Sequence, residues 1–402
     1  MNGRRRFLGG CLQLAAATIF SSRVARCGEA HDLVERIDGA LGAAVRFLAN
    51  RQAADGAWRS EVYGPFKDGP SLTSLIAATL APIDEPIDRR VCEKAVSYLA
   101  KLVSPEGTII AGPEGITYPV YTAAGAAIAI TRQPGRVNVA SRDAWLADLR
   151  QRQLTEERGW NDSDLAYGGW SYAQEAPRPA DGKPATPLAV PNLSATACAL
   201  EALRTTGCPS NDPAIRKALF FVQRCQNWGD EAAKQDSEFD DGGFFFIVED
   251  PQRNKAGEAG TDSAGRIRFV SYGSATADGL RALRACGLAS DHPRVIAARQ
   301  WLESHFSAEQ HPGRYAPARE HLKPAVYFYY AASVSQALDS GKEPSDWAET
   351  LSQSLLQRQR MDGSWINSVV EVREDDPLVA TPLGIRALLN CRATIVSLRA
   401  FQ

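Results

Sequence analysis

Asp236, Glu238, Asp240 and Asp241 crowd four carboxyl groups into one short stretch, and Gly242-Gly243-Phe244-Phe245-Phe246 follows directly. A carboxylic acid can donate a proton to an unreactive group only in prearranged surroundings. Aromatic faces stabilise a cation that develops next to them. Asp240 or Asp241 could therefore supply a proton or coordinate a metal-diphosphate, and the four acids are the candidate catalytic residues. Tyr167, Trp170, Phe244, Phe246, Tyr272, Tyr327, Tyr329 and Tyr330 are the candidate substrate-binding residues, with Phe328 beside the last three. The alternative is structural: aspartates before glycines make turns and caps, and aromatic residues after them lock those turns. Neither Cys-x-x-Cys nor His-x3-His spacing occurs, so no metal centre and no cofactor is expected.

These residues sit within a repeat. Gly followed by an aromatic or apolar residue recurs at Gly56-Ala57-Trp58, Gly107-Thr108-Ile109, Gly168-Gly169-Trp170, Gly242-Gly243-Phe244, Gly313-Arg314-Tyr315 and Gly363-Ser364-Trp365. An Ala-rich apolar segment follows each turn, and the six segments align on Thr73, Thr122, Thr196, Thr276, Ala331 and Thr381. Sequence self-similarity at a period of about 50 residues signals a repeat architecture. Each unit reads as two helices. Ile37, Leu41, Val45 and Leu48 make an amphipathic stripe before the first turn, and Ile215, Leu219 and Val222 do the same before the fourth. The second helix of each pair is nearly free of charge over its first turns, as in Ser194 to Leu200, and so belongs inside. Gly207, Gly287 and Gly341 are placed to end helices. Six hairpins with uncharged inner helices predict an all-α ring, an α/α toroid; an open solenoid is the other arrangement of such units. The loops of repeats three and four exceed the others by about 10 to 19 residues, and long loops on a rigid scaffold tend to carry function.

The chain has 402 residues with a formal charge of −2, 44% hydrophobic and 23% charged. That is globular composition, and the lack of a basic stripe argues against nucleic acid as a partner. Arg4-Arg5-Arg6-Phe7-Leu8, the apolar Leu12 to Phe20 and a small-residue end at Ala30 read as an export signal of the twin-arginine type over 1–30, with the toroid domain over 31–402. No apolar run beyond it is long enough for a membrane helix. The expected location is exported, periplasmic or extracellular, where disulfides are permitted but their pairing is not deducible.

Two of the turns share a fuller pattern. Gln52-Ala53-Ala54-Asp55-Gly56-Ala57-Trp58 and Gln359-Arg360-Met361-Asp362-Gly363-Ser364-Trp365 are both Gln-x-x-Asp-Gly-x-Trp. Gln52, Asp55, Trp58, Gln359, Asp362 and Trp365 are the candidate structural turn residues. The pattern resembles the QW repeats of squalene-hopene and oxidosqualene cyclases and of the β-subunits of protein prenyltransferases, over about residues 35–395. The resemblance implies an α/α toroid, often with an isoprenoid in its central cavity. The residues depart from both chemistries. The cyclases' Asp-x-Asp-Asp-Thr-Ala acid motif has only Asp236 to Asp241 as a counterpart, at another spacing and with no Thr-Ala after it. Of the prenyltransferases' zinc ligands, Gly243 stands where the cysteine would be and Tyr330 where the histidine would be. Three readings follow: an isoprenoid-processing protein of cyclase or prenyltransferase type, a non-catalytic ring that binds a lipid or a protein, and an exported polysaccharide lyase or glycosidase.

Overall fold

A computed structural model describes residues 32–400 apart from 84–85, 112–114, 134–137, 180–186, 230–237 and 339–345. The expected export signal, Asp236 and Gly341 lie outside the described residues. Twelve α-helices alternate between two layers: α1 (32–51), α2 (Pro70–Leu80), α3 (Pro86–Lys101), α4 (Pro119–Arg132), α5 (Val139–Gln151), α6 (Leu193–Thr205), α7 (Pro213–Arg224), α8 (Gly273–Ala285), α9 (Pro293–His305), α10 (Tyr327–Ala337), α11 (Trp347–Arg358) and α12 (Pro377–Ala400). The even-numbered helices pack side by side, α2 on α4, then α6, α8, α10 and α12, and α12 returns to α2. That last contact makes the arrangement a closed ring. The odd-numbered helices form the outer layer.

Local chemistry explains the two layers. Ten of the 11 residues of α2 are buried, as suits a helix apolar around most of its circumference. In the outer α7, burial is confined to one stripe, Ala214, Ile215, Ala218, Phe221 and Val222. Proline at the first position, where no N–H is needed, opens α2, α4, α7 and α9. Asn192 and Asp212 accept N–H bonds that cap α6 and α7.

The turns between layers are built alike. The Trp58 N–H donates to Thr73 Oγ1 at 3.0 Å, Trp170 to Thr196 at 3.2 Å, Phe244 to Thr276 at 3.0 Å and Trp365 to Thr381 at 3.1 Å. Four of the six residues on which the repeats align, Thr73, Thr196, Thr276 and Thr381, are thus the clasp between turn and inner helix. A glutamine then ties each turn to the next repeat. Gln52 Nε2 donates to the Gly56 and Val91 carbonyls, Gln153 to Gly168 and Ala214, Gln226 to Gly242 and Arg294, and Gln359 to Gly363 and Ala40. The Gln359 bond to Ala40 joins the last repeat to the first. Gln153 and Gln226 do this work without the seven-residue pattern that marks Gln52 and Gln359. At several turns the glycine is required by space as well as conformation. Gly168 has φ 85°, and a Cβ there would stand 1.9 Å from the Lys217 carbonyl oxygen.

Two expectations need correction. A small antiparallel pair, β1 (Glu258–Thr261) and β2 (Ile267–Phe269), lies in the long loop of repeat four, although no period-two alternation announced it. The inner helices are not uncharged: Glu201, Asp278, Arg281 and Arg386 stand on them. Arg281 and Arg386 supply the counter-charge that lets Glu201 be there, and Arg281 does so for Asp278.

Candidate functional site

The N-terminal ends of the inner helices meet all round the ring. Ser71 donates to the Thr117 carbonyl, Leu193 N–H to that of Phe246, Gly273 N–H to that of Pro312, and Ser60 to Asp376. An aromatic belt runs round this end. Phe66 contacts Tyr118 at 5.7 Å between centroids, Tyr118 contacts Tyr172 at 5.8 Å, Tyr172 contacts Tyr121 at 5.7 Å and Phe246 at 6.3 Å. Tyr121, Tyr172, Cys198 and Tyr329 are only half-buried by their immediate neighbours. Yet burial pushes the Tyr121 and Tyr329 phenols well above their ordinary range and the Cys198 thiol up to about 12. These side chains are thus deep in the protein and still partly uncovered.

Cations stack on the belt. The Arg373 guanidinium lies 5.2 Å from Tyr63, 5.1 Å from Phe66 and 5.4 Å from Tyr118. Arg253 covers Tyr172 and Phe246 at 5.5 and 5.7 Å, and Lys255 Nζ lies 4.8 Å from Phe246. Tyr118 (φ 49°) and Arg373 (φ 66°) are the non-glycine residues with positive φ among the described residues, and they touch each other. Each such backbone costs about 1–3 kcal/mol, so the surrounding structure must hold this pair in place.

Three carboxylates belong to the interior. Asp278 accepts four donors: Ser194 Oγ at 2.9 Å, Tyr329 Oη at 2.8 Å, Ser333 Oγ at 2.5 Å and Arg281 Nη1 at 3.1 Å. Glu201 accepts from Arg281 at 2.6 Å and Arg386 at 2.9 Å. Burial works against its charge, but Arg386, Arg281 and Arg132 outweigh burial and hold its carboxyl below the ordinary value. Glu374 accepts the Phe328 and Tyr329 N–H groups at 3.0 and 2.8 Å and the Asn367 amide at 3.0 Å. Burial still raises its carboxyl to about 7, against these donors and nearby Lys255. Lys255 itself is brought down to about 8, by burial first and by neighbouring Arg253 second.

The acidic stretch lies elsewhere. Asp240 pairs with Arg268 at 2.5 Å. Asp241 accepts Ser271 Oγ at 2.7 Å, Trp301 Nε1 at 3.0 Å and the Gly243 N–H at 3.0 Å, and Glu238 is exposed. Trp301 belongs to outer helix α9, so these bonds tie the turn to the outer layer. With Trp228, Gln300, Ser304 and His305 the two aspartates line a shallow groove there.

The expected aromatic set divides. Phe246 and Tyr329 face the interior. Tyr272, 1% exposed, packs behind it on His311 and Tyr315, with its hydroxyl beside the Lys255 backbone. Trp170 and Phe244 clasp turns. Tyr167 turns outward, donating to Glu156 at 2.6 Å and packing edge-on against Phe220 of α7. Tyr327 points to α11, meeting Ser354 Oγ at 2.8 Å with Arg358 over its ring at 4.1 Å. Tyr330 is buried against His311 at 5.3 Å. His311 is satisfied within the core: its Nε2 accepts the Ser274 N–H at 2.8 Å, and burial lowers the imidazole to about 3, so it is neutral. Among the described residues the cysteines are free thiols, and no cluster could hold a metal ion.

Sequence reasoning missed Phe66, Tyr118, Tyr121, Tyr172, Arg253, Lys255, Asp278, Arg373 and Glu374. One signal for Asp278 was available, since a charge on a helix otherwise built for burial demands partners. Tyr121 lies in the first turn of α4, and the others sit in the connections between helices, where a side chain has no periodic neighbours to tell which way it faces.

No protein-family model and no curated protein matches the chain. Solved structures do. A variant of the type II terpene cyclase MstE from Scytonema, in complex with geranylgeranyl dihydroxybenzoate, superimposes with TM-score 0.58 at 13% identity, covering 90% of this chain and 99% of that one. Cellobiose 2-epimerase from Spirochaeta thermophila DSM 6192 gives 0.59 at 12% identity, covering 92% and 98%. An unsaturated glucuronyl hydrolase specific for heparin gives 0.56 at 12%, with the same coverage. At such identity the likeness is one of fold. The chain is an α/α toroid, and this fold serves both terpene and carbohydrate chemistry among these neighbours.

Proposed function

We propose that the ring binds an isoprenoid, or an apolar chain of similar shape, in its aromatic interior. The observation that carries this reading is the unbroken belt from Phe66 through Tyr118, Tyr172 and Tyr121 to Phe246, around side chains that are deep but uncovered. Sugars call for many hydrogen-bonding groups facing the site, whereas the interior carboxylates here are engaged by internal donors. Asp278 and Glu201 spend their oxygens on internal donors. Proton transfer to an alkene needs a strong acid, and Glu374, held near 7, is a weak one. The binding role is therefore favoured over cyclisation. The roles expected of Asp240 and Asp241 pass to turn formation, in keeping with their bonds to Arg268, Ser271 and Trp301. The Arg4-Arg5-Arg6 start supports export, which N-terminal sequencing of the protein from its own cells tests by the loss of about 30 residues.

Isothermal titration with geranylgeraniol and with cellotetraose tests the assignment. The expected result is binding of the alcohol, weakened about ten-fold or more in Tyr172→Ala (about 1.4 kcal/mol), and none of the sugar. Binding of cellotetraose alone, or alcohol binding indifferent to Tyr172→Ala, overturns it.

A further inference from the structure

Lys255 is a primary amine inside the ring that has no hydrogen-bond or ion-pair partner among the described residues. Lys217 and Lys323 are paired, with Glu156 and Glu320 at 2.7 Å each. Its position is fixed rather than incidental. Buried Asn254, the preceding residue, accepts the Phe246 and Ile247 N–H groups at 2.8 and 3.1 Å and donates to the Ile247 and Asp250 carbonyls at 2.7 and 3.0 Å. That knot sets the backbone from which Lys255 reaches over the Phe246 ring. Arg253, two residues earlier, adds a second cation.

Resting on the binding role above, we propose that Lys255 forms an imine with the aldehyde end of an apolar chain held in the aromatic interior. An anion receptor would deploy several free donors. Here the Arg253 Nη1 already donates to the Pro187 carbonyl and the guanidinium lies over Tyr172 and Phe246, so the amine stands alone. Desolvation that disfavours the ammonium is also what makes a lysine nucleophilic. The unprotonated Nζ adds its lone pair to the carbonyl carbon, and the carbonyl oxygen takes a proton from the Glu374 carboxyl or from water. The carboxylate then takes one Nζ proton and passes it to that oxygen, which leaves as water while the C=N bond forms, and the remaining Nζ proton returns to the carboxylate. Aldehyde and amine give imine and one water, with no oxidant or reductant.

Full-length protein incubated with geranylgeranial at pH 7.5, reduced with borohydride and mapped by peptide mass spectrometry tests this. The expected result is one dominant adduct, on Lys255, lost in Lys255→Arg while geranylgeraniol binding persists. Adduct formation should level off above about pH 8, the lowered value of this amine, and not near the 10.5 of a free lysine. Adducts spread over many lysines and unchanged in Lys255→Arg overturn the proposal. So does tight, Lys255-dependent binding of geranylgeranoic acid without any aldehyde adduct, which marks an anion site. If the alcohol binds and the aldehyde leaves no adduct, the imine alone falls; if neither binds, the binding role falls with it.

Discussion

Replacing Glu374 by Gln should remove a measurable pH dependence from the stability of the ring. The carboxyl is buried to 1% exposure and anchors the first N–H groups of α10 to the segment that leads into α12. Its folded value is about 7, against 4.5 for the free group. Between those values the folded protein keeps a proton that the unfolded chain has released, so stability is lost as pH rises through this window. The shift of about 2.5 units corresponds to about 3 kcal/mol at 1.36 kcal/mol per unit. Urea unfolding of the two proteins from pH 4.5 to 7.5 measures it. Glutamine loses one acceptor and so changes the absolute stability, by about 1–3 kcal/mol at every pH. The readout is therefore the difference between the two curves. It should change by about 3 kcal/mol across the window in favour of the variant at the upper end. Parallel curves would show that Glu374 is charged at ordinary cost, and would refute the account of its burial.

Gly168→Ala should cost several kcal/mol, because its Cβ would meet the Lys217 carbonyl at 1.9 Å, whereas Gly107→Ala meets nothing and should cost only about 1 kcal/mol for its positive φ; thermal unfolding separates the two. Gln153→Ala strips the Gly168 and Ala214 carbonyls of a buried donor and should destabilise by about 1–3 kcal/mol, although no Asp-Gly-x-Trp pattern follows it.

How the candidate site arises shows which parts of it could be read from the chain. The Gly turns, the aligned Thr residues and the Gln at repeats one and six were visible because each acts on residues near it in sequence. The Trp58 N–H finds Thr73 of its own repeat. Phe246 and Tyr329 were identified from composition alone, but Tyr167 and Tyr327, selected on the same grounds, turn to the outer layer. Tyr167 differs from the inward Tyr172 only in which side of the Gly168 turn it occupies. The acidic stretch drew attention by its density of charge, yet Arg268 and Trp301 neutralise and bond it from residues far along the chain. Asp278 and Arg281 are charges on a buried helix whose partners, Ser194, Glu201, Ser333 and Arg386, are brought to them by α6, α10 and α12.

The amino-acid pattern alone settled that the chain is a set of helical hairpins with one helix of each pair inside, because apolar spacing and turn glycines act over a few residues. Closure into a ring needed contacts between the ends of the chain, of which Gln359 with Ala40 and Asp376 with Ser60 are instances. Closure also decided which aromatic rings come together, which charges are paired across the ring, and that Lys255 has no ion-pair partner among the described residues. Those are properties of helices converging on a common axis, and no single repeat contains them.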